Sequence, residues 1–219
     1  MKSYRCLLFD LDGTLTYSHH GIFNCIRYAF EKMGKTPPNE NQMRPAVGPP
    51  LLDSFQNLFG FSLEDAEKCV AFYRERYSTV GLFENEPIAG ALELLQGVKG
   101  AGYLTALATS KPAVFANAIA EKFGFSPYLD HPAVATLQQS DKRWVIERTM
   151  ENLGVQKEEC LMIGDTLHDV EGARKAGVDC AAVRCGYSKD GELELAEPKF
   201  IFDDLFALRE FLLKNAEER

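Results

Sequence analysis

The fold is decided by "CLLFDLDGTLT", Cys6 to Thr16. Its first four residues, Cys6 to Phe9, are apolar without alternation, the pattern of a strand buried on both faces of a parallel sheet. The run stops at Asp10 and Asp12, followed by Gly13 and Thr14. Two carboxylates one residue apart repel each other and are costly to desolvate, so some counter-charge has to meet them. An EF-hand is excluded: counted from Asp10, Gly13 falls at position 4 and Gly21 at position 12, where that loop requires Gly at 6 and Glu at 12. A plain Asx-Gly turn accounts for the glycine but not for the second carboxylate. A hard cation such as Mg2+ accounts for both, because it binds oxygen and commonly joins one or two carboxylates to a substrate phosphate.

Similar apolar runs recur along the chain: "YLTALAT" ending at Thr109, "CLMIG" before Asp165, and "CAAVRC" from Cys180. Helical patterns separate them: "IAGALELLQGVKGAG", "AVFANAIAEKFG", "KRWVIERTMENLG" and "DVEGARKAG", each ending at a glycine suited to a helix stop. Strands each followed by a helix predict an α/β core, a Rossmann-like doubly wound parallel sheet. From Tyr17 to Glu84 the rhythm breaks: there are helical patterns, two Pro-rich turns ("KTPPNE" and "RPAVGPPLLDSF") and no strand run. Ser62 with Asp65 three residues on marks a helix start there. The expected organisation is a core of residues 1–16 and 85–219 with a helical cap domain, 17–84, inserted after the first strand.

In an open parallel sheet, ligands sit beyond the carboxyl ends of the strands, so Asp10, Thr109 and Asp165 are expected at one edge. In "IGDTLHD", Ile163 to Asp169, Asp169 lies four residues past Asp165 at a helix start, where the helix dipole favours an acid. His168 reads as an exposed helix-start residue. In "ALATSKP", Thr109 and Ser110 precede a helix starting near Pro112; hydroxyls and free N–H groups there suit a phosphate, the plainer reading being an N-cap. Lys142, in "QQSDKRWVIERTM", is the candidate cation and Arg143 its local rival. A lone lysine at a helix start is ordinarily solvated.

The chain has 219 residues, 46% hydrophobic and 26% charged, with a net charge of −8. That balance disfavours nucleic acid or an anionic membrane as a partner, since both select basic surfaces. The six cysteines lie scattered in apolar runs without a CxxC pair, which predicts reduced core thiols rather than disulfides. No apolar run approaches membrane-spanning length and the N-terminus lacks a long apolar region, so a soluble, cytoplasmic protein is expected.

Taken in order, "DLDGT" at 10–14, "ATS" at 108–110, Lys142 and "GDTLHD" at 164–169 resemble the haloacid dehalogenase superfamily, specifically its phosphatases with a small helical C1-type cap. The resemblance implies that Asp10 is the nucleophile forming an aspartyl-phosphate and that Asp12 is the general acid, then the base. It implies that Thr109, Ser110, Gly13 and the backbone after Thr109 line the phosphoryl group, and that Lys142 balances charge and orients Asp10. Mg2+ would be held by Asp10, the main-chain carbonyl of Asp12, and Asp165, with Asp169 in support. In the cap, "RPAVGPPL" becomes the specificity loop, with Arg44 or Gly48 nearest the substrate. The implied activity is that of a phosphomonoesterase on a small phosphorylated metabolite, phosphoglycolate phosphatase-like, with nucleotidase or pyrophosphatase activity open on the same scaffold. A monomer or homodimer is expected. A sugar phosphomutase of the same superfamily is the alternative, and a receiver-type phosphoprotein a further one. Two departures stand out: Ser110 where relatives often carry Asn, and Arg143 after Lys142 where many carry Pro.

Overall fold

The computed structural model describes residues 3–218. It divides into two compact units, one formed by the chain up to Thr16 together with the chain from Pro87 on, the other by Tyr17–Glu86. The strands are β1 (Cys6–Phe9), β2 (Thr16–Tyr17), β3 (Glu86–Pro87), β4 (Leu104–Leu107), β5 (Cys160–Gly164), β6 (Asp179–Val183) and β7 (Phe200–Phe202). Five of them form a parallel sheet in the order β4-β1-β5-β6-β7, while β2 and β3 pair separately.

Tyr17–Glu86 is helical: α1 (His19–Lys32), α2 (Glu40–Met43), α3 (Leu51–Asp53) and α4 (Leu63–Tyr77), with a π-helical turn at Ser54–Leu58. The pattern of α1 explains its packing: Ile22, Phe23, Ile26, Ala29 and Phe30 recur at helical spacing and are buried, facing Ala66, Cys69, Val70 and Tyr73 of α4. The Ser62 side chain accepts from the Asp65 N–H at 3.2 Å, capping α4 where the sequence placed a start. Phe30, Phe55, Phe59 and Phe61 form a ring cluster that closes the unit's interior.

In the sheet unit the helices are α5 (Ala91–Gly100), α6 (Ala113–Lys122), α7 (Lys142–Leu153), α8 (Leu167–Ala176), α9 (Glu192–Ala196) and α10 (Leu205–Glu217). Central β1 is fully buried, and its alternate residues Cys6 and Leu8 pack with Met162, Val145, Ile146 and Val170 in one core cluster. Each such leucine removed from water contributes about 1.5–3 kcal/mol before entropy is counted. Glycines at 124, 154 and 177, all with positive φ, follow α6, α7 and α8 as expected. β7 was not legible in the sequence: "FIF" is a three-residue edge strand, half-buried, too short to make a run. None of the six cysteines is in a disulfide; five are buried, but Cys185 is half-buried rather than a core residue.

Candidate active site

β1 pairs Phe9 with Leu107 of β4 and with Ile163 of β5, so the next residue, Asp10, emerges between the ends of both neighbours. Its N–H donates to the Ile163 carbonyl at 2.9 Å, which extends the strand by one bond. Beyond it the chain turns sharply: the Leu11 carbonyl accepts N–H groups of Thr14, Leu15 and Thr16. Gly13, at φ +88, sits where a Cβ would lie 2.3 Å from Asp165 Oδ2. Glycine is required there for backbone conformation and for space alike.

Parallel pairing thus brings together what the sequence separates. Asp10, Asp165 and Asp169 are buried, and one carboxylate oxygen from each lies within 4.8 Å of the others. Lys142 is 2% exposed, not solvated as a helix-start lysine ordinarily is. Its ammonium lies 2.9 Å from Asp10 Oδ1 and 2.8 Å from Asp169 Oδ1, and it donates a directed hydrogen bond to the Ala108 carbonyl at 3.1 Å. Arg143, the rival cation, is instead on the surface with Glu147.

The aspartates are held differently. Asp169 Oδ2 accepts from the N–H groups of Asp165 and Thr166 and from the Thr166 hydroxyl, in a capping box that starts α8. Asp165 accepts from the Thr14 hydroxyl at 3.0 Å and the Tyr187 N–H at 2.7 Å. Gly186, just before Tyr187, leaves no room for a side chain, since a Cβ would fall 1.9 Å from Asp165 Oδ2. This second contact arrives on the loop after β6 and carried no signal in the sequence beyond "CGY".

Burial pushes the Asp10 carboxyl up to about 6; the Lys142 ammonium opposes that, the charge of Asp169 adds to it, and the Thr109 hydroxyl opposes it. Asp165 is raised well above the ordinary range by burial and by the charges of Asp169 and Asp10. Burial also acts against ionised Asp169, but Lys142 and the Thr166 hydroxyl prevail and lower it. The site therefore carries more negative charge than its lysines neutralise, and a bound cation would relieve it. Oxygen donors, mutual closeness and raised carboxyls fit a hard divalent ion.

The phosphate-side residues divide. Thr109 is buried at the end of the β4 segment, and its hydroxyl accepts from the Lys111 N–H at 3.2 Å. Ser110 is half-buried, its Oγ 3.5 Å from His168 Nε2. His168 is itself half-buried and not exposed, with burial pulling its imidazole below the usual value. In the first turn of α6 the Ala113 N–H goes to Ala135 and those of Phe115 and Ala116 go to Pro112. Arg44, in a 3-10 turn at Arg44–Ala46, is exposed, and Gly48 has φ +104 with open space around it; both belong to the helical unit.

One charged residue was missed altogether. Lys111 donates to Asp12 Oδ2 at 2.6 Å, with the two side chains only 7% and 10% exposed. It stands in plain view in "ATSKP", but an ion pair over 99 residues of separation has no local signature.

Residues 7–183 match the model of the haloacid dehalogenase-like hydrolases. The chain is 38% identical over 211 residues to a 5'-nucleotidase of Pseudomonas aeruginosa, covering 95% of this chain and 96% of that one. It is 34% identical over 190 residues to the tyrosine-protein kinase PtkA of Mycobacterium tuberculosis, covering 86% of this chain but 65% of the kinase. The crystal structure of a predicted phosphatase from Clostridium acetobutylicum superposes with a TM-score of 0.92 at 34% identity, over 97% of this chain and 99% of that one. No helix among the described residues is long and apolar enough to cross a membrane. With this sheet, these carboxylates and these relatives, the chain belongs to the haloacid dehalogenase-like hydrolases, as a phosphatase.

Proposed function

We propose that this phosphatase hydrolyses a small phosphomonoester through an aspartyl-phosphate on Asp10, with a nucleoside 5'-monophosphate as the first substrate class to test and phosphoglycolate as the second. The observation that carries the reading is Lys142, buried and within ion-pair distance of both Asp10 and Asp169 at the edge where β1 and β5 end. A carboxylate so held keeps one orientation, which suits in-line attack on phosphorus. Attack by Asp10 breaks the phosphorus–oxygen bond to the leaving alcohol, and Asp12 gives that oxygen a proton. In the second step Asp12 takes a proton from water as the water attacks phosphorus and Asp10 leaves. Thr109 and Ser110, with Gly13 clearing the turn, would bind the phosphoryl oxygens. Asp10, Asp165 and the main-chain carbonyl of Asp12, with Asp169 in support, would hold Mg2+, which supplies charge neutralisation around the phosphoryl group. Substrate choice is assigned to Tyr17–Glu86 acting as a cap, through Arg44 and Gly48.

The 38% identity to a 5'-nucleotidase supports testing nucleotides first. The test is a panel of phosphorylated metabolites assayed for free phosphate with Mg2+ and with chelator, including nucleoside monophosphates, phosphoglycolate, sugar phosphates and pyrophosphate. Phosphate release that needs Mg2+ and disappears in Asp10→Asn is expected. Isomerised sugar phosphate without phosphate release would mean a mutase. A single stoichiometric phosphorylation would mean a receiver, and transfer to tyrosine a kinase.

A further inference from the structure

Asp12 sits on a backbone with little freedom. Three N–H groups converge on the Leu11 carbonyl, the Gly13 N–H donates to Thr16, and Asp12 itself bridges Thr16. Its side chain is constrained too, but only at one of two oxygens. Oδ2 takes the Lys111 ammonium at 2.6 Å, whereas buried Oδ1 has no hydrogen-bond partner among the described residues. Asp12 as a whole is 8% exposed, so water does not freely solvate that second oxygen. A buried carboxylate oxygen without a donor is costly and rare unless a ligand or a proton meets it. Lys111 is placed by its own backbone: its N–H is tied to the Thr109 hydroxyl in the loop that would face the phosphoryl group.

We infer that Lys111 is a positioning residue that commits Asp12 Oδ2 and leaves Oδ1 as the atom that exchanges the proton with the leaving oxygen and then with water. The inference rests on the reading of Asp12 as acid and base. The steps balance at one atom. The Oδ1–H bond breaks as the proton passes to the departing alcohol oxygen, and Oδ1 later accepts a proton from the attacking water as the phosphorus–Asp10 bond opens. Throughout, the ammonium keeps Oδ2 occupied and the carboxyl plane fixed, so the two proton transfers use one geometry. Fixing the plane matters because general acid catalysis depends on the proton lying within hydrogen-bond reach of its acceptor. Lys111 and Lys142 then have separate duties, one for each catalytic aspartate.

The test is a leaving-group series. Nucleoside monophosphate and simple alkyl phosphates expel poor leaving groups that need a proton, whereas p-nitrophenyl phosphate expels a good one that does not. The quantity measured is kcat/KM, which reports steps through formation of the aspartyl-phosphate and so isolates the acid role. For Lys111→Met we expect kcat/KM to fall about 100-fold on alkyl phosphates and by less than about 3-fold on p-nitrophenyl phosphate. Lys111→Arg, which keeps a cationic donor, should recover most of the loss. Asp12→Asn is run alongside and should show the same leaving-group dependence, only steeper. If Asp12→Asn is steep while Lys111→Met lowers both substrates equally, the Lys111 inference is overturned and the Asp12 reading stands. If Asp12→Asn shows no leaving-group dependence, the reading of Asp12 fails and the inference with it. Should Lys111→Met not fold, Lys111→Gln serves the same comparison, with unfolding temperature as the control.

Discussion

Asp10, Asp12, Lys142, Asp165 and Asp169, the buried charged residues among those described, all belong to the sheet unit. The ion pairs of Tyr17–Glu86 are of another kind: Lys68 with Glu64 and Asp65, Arg27 with Glu40, and Arg76 with Glu84 are all partly or mainly exposed. That unit is held by apolar helix faces and phenyl rings, and its charges decorate it. The sheet unit buries charge at a cost that its two lysines offset only in part. The proposed function puts the chemistry in the sheet unit and recognition in the other, and this division of charge is what that proposal expects.

The sharpest challenge to that division is Asp10→Asn, which is expected to lower phosphate release by about 10⁴-fold or more. Native-rate turnover would remove the nucleophile from the sheet unit. Next comes a paired stability measurement by denaturant unfolding. Lys142→Met leaves Asp10 and Asp169 buried without their cation and should cost about 3–5 kcal/mol. Arg76→Ala in the helical unit should cost about 1 kcal/mol or less. Equal losses would erase the distinction between the two kinds of ion pair.

Gly186→Ala drives a methyl group into Asp165 and should weaken Mg2+ binding about 10–100-fold in calorimetry, with a lowered unfolding temperature as the buried carboxylate or its loop gives way. Unchanged affinity would show that the loop after β6 does not shape the carboxylate cluster. A smaller effect should mark the other unit: Arg44→Ala should raise KM for the best metabolite about 5-fold and leave p-nitrophenyl phosphate untouched. A loss on both substrates would assign Arg44 to the chemistry instead.

The mildest effect is one of pH. Asp10 rises from 3.8 to about 6 on folding, and Asp165 rises too. Between those values the folded state holds protons that the unfolded chain has released, so stability falls as pH rises through that window. Lys142 is raised, so its contribution persists to well above neutrality, and lowered Asp169 loses its own only at acid pH. Mg2+ should therefore raise the unfolding temperature little at about pH 5 and roughly 5 °C more at about pH 7. A shift independent of pH would mean the cation is not relieving these carboxyls.

Much of this was readable from the sequence, for identifiable reasons. Asp10 and Asp165 each follow an unbroken apolar run, and a parallel sheet forces such positions to one edge. Lys142 could be singled out only by its position, because nothing local distinguishes a buried helix-start lysine from a solvated one. Gly172 shows how burial was arranged at a distance: a Cβ there would meet Lys142 Cγ at 2.3 Å. Lys111, Tyr187 and β7 escaped because each is defined by tertiary pairing rather than by periodicity. His168 was expected to be exposed because a helix start is ordinarily solvated; packing beside Ser110 changed that.

The strand order has one more consequence. β1 lies between β4 and β5, so the seam between β1 and β5 joins two halves of the chain on either side of the exposed stretch 136–139. A nick there would leave Asp10, Asp12 and Lys111 on one fragment and Lys142, Asp165 and Asp169 on the other. Each fragment would keep one lysine–aspartate pair and one surplus carboxylate, and the two surplus groups meet only across the seam. The carboxylate cluster would then be complete only where the two pieces are together.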